Sequence, residues 1–121
     1  MPAPVLVVHD ERDTREGILT ALLAAGHDAV GFRDPMTALD TIESDTRVRV
    51  LVTRVDFGPG KLNGVALARM VRHKRPSVRT VLVCQLENGR HVADGVGEFL
   101  PHPVDLPVLV DAVSRHLSAA G

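Results

Sequence analysis

The chain of 121 residues has no Trp and no Tyr, and its only aromatic side chains are Phe32, Phe57 and Phe99. That scarcity excludes the stacking platforms on which single-stranded nucleic acid binds. It has one cysteine, Cys84, so no internal disulfide can form, and a reducing, cytoplasmic setting is expected. It has no excess of either charge: 14 Lys and Arg face 15 Asp and Glu, for a net −1. Neither nucleic acid nor a membrane surface is therefore expected as a partner. No apolar run is long enough to span a bilayer, and the start lacks the basic-then-apolar pattern of a signal peptide. There is no GxGxxG and no P-loop, hence no sequence case for a nucleotide cofactor. Without a repeat or a low-complexity linker, residues 1–121 are expected to form one domain.

What the chain does have is 45% apolar residues, arranged in short runs and helical spacings. Val5-Leu6-Val7-Val8 reads as a buried strand. Asp13 and Glu16 have capping-box spacing, and Ile18, Leu19, Leu22 and Leu23 give the following helix one apolar face, ended by Gly26. Ala29-Val30-Gly31-Phe32 is a second strand, and Asp34-Pro35 opens a helix with Ala38, Leu39 and Ile42 inward. Val48 to Thr53 is the third strand. Val65 to Val71 reads as a helix burying Leu67, Met70 and Val71. It runs out in Arg72-His73-Lys74-Arg75, a solvated end that complements the helix dipole. Thr80 to Cys84 and Glu98-Phe99-Leu100 are the last strands. Between them, Glu87 to Val96 carries Gly89 and Gly95 and predicts at most a short helix. Asp105 caps a final helix with Leu106, Leu109, Val110, Val113 and Leu117 at helical spacing.

Strands alternating with helices imply a parallel sheet covered on both faces and joined by right-handed crossovers. A flavodoxin-like, doubly wound, five-stranded order, 2-1-3-4-5, fits this length. In such a sheet the chemistry collects at the carboxyl ends of the strands. There the sequence puts His9-Asp10-Glu11, then Arg54-Val55-Asp56 running into Phe57-Gly58-Pro59-Gly60 and Asn63-Gly64, then Cys84, then Pro101-His102-Pro103.

In their order and spacing these segments resemble the receiver domain (CheY-like) of bacterial response regulators, over nearly the whole chain. The resemblance implies two-component signalling rather than enzymatic catalysis. It implies an acidic pair after the first strand holding Mg²⁺ and an aspartate ending the third strand that accepts a phosphoryl group from a histidine kinase. A Ser or Thr is implied after the fourth strand, and after the fifth a Lys before Pro, with a cis bond. Metal and Lys would neutralise the transferring phosphoryl group. Here His9 stands for the first acid and Asp10 keeps the second. Arg54 stands at the acceptor position, Cys84 for the hydroxyl and His102 for the Lys. Phe99 matches the switching aromatic.

The expectation is a degenerate, or pseudo-, receiver that signals by protein–protein contact, with a histidine kinase, another signalling protein or a second copy as partner. Mg²⁺ binding is expected to be absent or weak, and no other cofactor is implied. The contact surface is expected on the fifth strand and last helix, at Arg115 and His116. Arg54 is expected to pair with Asp10 through two parallel hydrogen bonds, with Glu11 and Asp56 as alternative partners. Two other readings stay open. Asp56 is the alternative acceptor, displaced into the loop. The old cleft is the alternative ligand or metal sensor, with His9, Asp10, Cys84 and His102 as donors suited to Zn²⁺ or Cu²⁺.

Overall fold

The computed structural model describes residues 4–58, 60, 62–84, 97–101 and 103–120. Five strands form one parallel sheet in the order β2-β1-β3-β4-β5. They are β1 (Val5–Val8), β2 (Ala29–Phe32), β3 (Val50–Arg54), β4 (Arg79–Cys84) and β5 (Glu98–Pro101). Four described helices cover it: α1 (Arg12–Ala24), α2 (Pro35–Ser44), α3 (Gly64–Lys74) and α4 (Leu106–Ala120). Strand alternation divides the core. Val5, Val7, Val50, Val52, Val81 and Val83 face Ile18 and Leu22 of α1 and Leu109, Ala112 and Val113 of α4. Leu6, Val8 and Leu51 face Ala38, Leu39 and Ile42 of α2 and Leu67 and Val71 of α3. The expected flavodoxin-like architecture is thus the observed one.

The helix ends are written in local chemistry. Asp34 accepts the Met36 and Thr37 N–H groups with Pro35 at the first position of α2. Gly26, at φ +88°, closes α1 in a Schellman arrangement: its N–H bonds Leu23 O, and His27 N–H bonds Leu22 O. The Asp105 carboxylate accepts the Val108 N–H at the start of α4.

Three expectations are corrected. Asp13 does not cap α1. The helix starts at Arg12 with Glu11 as N-cap and no side-chain cap, because the turn leaving β1 is too short to wait for Asp13. The third strand begins at Val50, not Val48, because Arg49 and Val50 N–H both turn to Pro4 O. It ends at Arg54, which pairs with Val83. Met70 is only half-buried, at the rim of the α2–α3 core.

The basic end of α3 also divides. Arg72, His73 and Lys74 are exposed, as a solvated end should be. Arg75 instead turns back and donates to the carbonyl oxygens of Ile42, Asp45, Thr46 and Val48, at 2.8–3.3 Å. One guanidinium thus ties a carbonyl of the last turn of α2, that of Ile42, to three in the loop after it.

The third helix meets β3 with no side chain between them. A Cβ at Gly64 would lie 2.0 Å from Arg54 O and 2.9 Å from Val55 Cα. The Gly64 N–H bonds Val55 O at 2.7 Å, while Asn63 Oδ1 caps the helix from the Val65 N–H. Gly64→Ala must therefore push backbone from backbone. We expect it to destabilise the fold by roughly 3 kcal/mol, read as a lowered urea midpoint. An unchanged midpoint would refute the close approach.

Candidate functional site

The carboxyl edge is assembled by the register. Val8 of β1 pairs with Thr53, and Arg54 is the next residue of β3. The turn after β1 therefore lies alongside the end of β3. Arg54 Nη1 donates to Asp10 Oδ1 at 2.8 Å. This is one bond rather than the two parallel ones expected, and the side chains are 30% and 43% exposed. An ion pair that wet is worth about 0.2–1 kcal/mol. Burial pushes the Asp10 pKa up and is the largest single influence. The Arg54 hydrogen bond, its charge and the Asp10 backbone N–H together outweigh it and hold the carboxyl below its ordinary range.

The neighbours of this pair are bound into the turn. His9 is buried, and its Nδ1 lies 3.1 Å from the Glu11 N and 3.8 Å from Asp10 Oδ1. Its carbonyl accepts Arg15 Nη1 at 2.8 Å. The Glu11 carboxylate accepts the Thr14 hydroxyl. Asp56 lies beyond the strand, exposed, and accepts the Gly58 N–H at 2.9 Å in an Asx turn. A cleft of about 440 Å³ opens beside Asp10, lined by Arg33, Asp34, Pro35 and Phe57.

The structure does not gather all the expected donors. Cys84 is buried with Val55, Val65, Ala68 and Leu82, and half-buried Phe99 packs on that cluster. Those surroundings are apolar, although the register sets β4 beside the end of β3, with Arg54 opposite Val83. Among the described residues no three His, Cys, Asp or Glu side chains converge as metal donors. His102, its bond to Pro103 and the segment 85–96 lie outside the described residues.

At the expected contact surface, His116 is corrected. It is 16% exposed, and its Nε2 sits 2.8 Å from Glu98 Oε1, because α4 turns that face toward the start of β5. Arg115 is exposed but engaged, 3.0 Å from Glu98 and 3.1 Å from Asp111. Neither this cluster nor Arg75 was found from the sequence. Apart from Arg115 and Asp111, one helical turn apart, the partners are 17 or more residues apart, and only the fold juxtaposes them.

The fold and this edge define an open, doubly wound α/β domain with its polar groups at the carboxyl ends of the strands. No family model matches the chain. It is 27% identical over 120 residues to the response regulator protein FleR of Pseudomonas aeruginosa, covering 96% of this chain. The chain spans 25% of that protein's length. Among solved structures, it superposes on a response regulator receiver protein from Pseudomonas putida with a TM-score of 0.80 at 29% identity, covering 92% of this chain and 94% of that one. The receiver domain of the Francisella response regulator 1452 gives a TM-score of 0.86 at 21% identity, covering 97% and 98%. The receiver domain of NtrX from Brucella abortus gives 0.83 at 24%, covering 94% and 98%. The chain thus has the CheY-like, flavodoxin-like fold and is similar over nearly its whole length to response regulator receiver domains. No described helix is long and apolar enough to cross a membrane.

The Glu98 cluster makes a pH prediction. Burial raises the Glu98 pKa and is the largest influence, but hydrogen bonds from Arg115 and His116 outweigh it and lower the pKa below 4.5. A lowered folded pKa means stabilisation that is present above the unfolded value and lost as pH falls through the folded one. Glu98→Gln should therefore be slightly less stable than wild type at neutral pH, by about 0.5 kcal/mol. The two urea midpoints should converge on acidification through the carboxylate range. A gap that persists in acid would refute the charge as its cause.

Proposed function

We propose that this receiver domain signals by protein–protein contact without aspartyl phosphorylation of its own. In this reading Arg54 stands at the acceptor position, His9 and Asp10 at the metal-binding pair, Cys84 at the hydroxyl position and His102 at the Lys position. The observation that carries it is the Arg54–Asp10 pair at the end of β3. A guanidinium has no carboxylate to accept a phosphoryl group, and its charge competes with a metal for Asp10. Phe99, β5 and the exposed part of α4 would form the contact face. The partner would be a histidine kinase, another signalling protein or a second copy, met in the cytoplasm by residues 1–121 as one unit. Asp56 as acceptor is disfavoured by its position beyond the strand and by its engagement with Gly58.

Incubation with acetyl phosphate and Mg²⁺ should leave the intact mass unchanged. A hydroxylamine-sensitive phosphoryl adduct, on Asp56 or elsewhere, would reject the proposal.

The cleft favours one second reading, ligand sensing. Pro35 and Phe57 give it an apolar floor, and Arg33, Asp34 and Asp10 give it charge. A small-molecule thermal-shift screen separates the two. A ligand that raises Tm in wild type, but not in Phe57→Ser, supports sensing.

A further inference from the structure

A receiver implies Mg²⁺ at the carboxyl edge, held by an acidic pair after the first strand. The residues present do not fit one. At the first place of that pair His9 is buried, with Nδ1 turned back to the Glu11 N–H. At the second, Asp10 already gives Oδ1 to Arg54 at 2.8 Å. The carboxylates of Glu11 and Asp56 accept from Thr14 and from the Gly58 N–H.

Arginines take up the work instead. Arg54 reaches the turn after β1 from β3. Arg15 reaches it from α1 and donates Nη1 to His9 O at 2.8 Å. The Arg15 stem crosses β2 at Gly31, where a Cβ would lie only 3.1 Å from Arg15 Cδ and 2.7 Å from Leu19 Cδ1. The turn is thus held from both sides by guanidinium groups. Of the two, Arg54 meets a carboxylate, that of Asp10, and Arg15 a carbonyl, that of His9.

We propose that the Arg54 guanidinium stands in for the divalent cation of this edge: it supplies the positive charge that Asp10 faces, and it keeps metal out. The inference rests on the receiver reading above and concerns what occupies its site. The contact uses a single N–H donor, so charge rather than the guanidinium fork carries the effect. A lysine should serve in its place, and a neutral side chain should not.

The test is Mn²⁺ titration of wild type, Arg54→Lys, Arg54→Gln and Arg54→Asp. Free Mn²⁺ is followed by electron paramagnetic resonance, and folding by circular dichroism. Wild type and Arg54→Lys should leave the Mn²⁺ signal unchanged. Arg54→Gln should take up Mn²⁺ weakly, and Arg54→Asp roughly tenfold more tightly, as a second carboxylate oxygen donor is added. Uptake by wild type or Arg54→Lys matching that of Arg54→Asp would overturn the inference. So would folded Gln and Asp variants that take up none. If Arg54→Asp does not fold, Arg54→Gln decides alone. The readout is independent of phosphorylation. A phosphoryl adduct on wild type would remove the functional reading, whereas Mn²⁺ bound by wild type would remove only this one.

Discussion

The two central strands are sealed on both faces, and most of the structure follows from that constraint. Val5 to Val8 and Val50 to Val52 are at most 1% exposed. A parallel strand buried in this way has nowhere along its length for a charge, because unpaired charge in such surroundings is too costly. Polar residues are pushed to the strand ends. At the carboxyl ends, His9-Asp10-Glu11 and Arg54 arrive next to each other because β1 and β3 are neighbours in register. The site is therefore a consequence of strand order, and strand order is a consequence of which strands must be covered twice.

The same pressure explains how this chain uses arginine. Arg75 gathers four carbonyls at the end of α2, Arg15 holds the His9 carbonyl, and Arg49 donates to the Leu117 carbonyl of α4. Each brings the fixed donors of a guanidinium to backbone carbonyls at the end of an element or in the loop beside it. Arg54 belongs to this pattern in geometry but differs in target, since it meets a carboxylate. Arg115 likewise meets carboxylates, those of Glu98 and Asp111, at the other end of the sheet.

Packing is continuous from the end of β3 to α4. The backbone of Gly64 seats α3 directly on the end of β3, beneath Arg54. Cys84, Val55 and Phe99 share one apolar cluster between β3, β4 and β5. Glu98, at the start of β5, is tied to α4 by Arg115 and His116.

The sequence by itself determined the alternation of strands and helices, the sheet order, the caps at Asp34, Gly26 and Asp105, and the positions gathered at the carboxyl edge. These are local signals, or periodicities that burial enforces residue by residue. The starts of α1 and β3 were misplaced by one or two residues. Their first bonds go to Glu11 O and Pro4 O, and chain geometry, not residue type, sets those partners. Only the tertiary structure decided that Arg54 meets Asp10 through one half-exposed bond, that Cys84 sits in an apolar cluster, that Arg75 faces inward and that His116 is mostly covered. Each depends on which side chains the fold brings together, and for the arginines on where a long side chain ends, several rotatable bonds from its Cα. Local propensity is silent on that, and packing alone selects it.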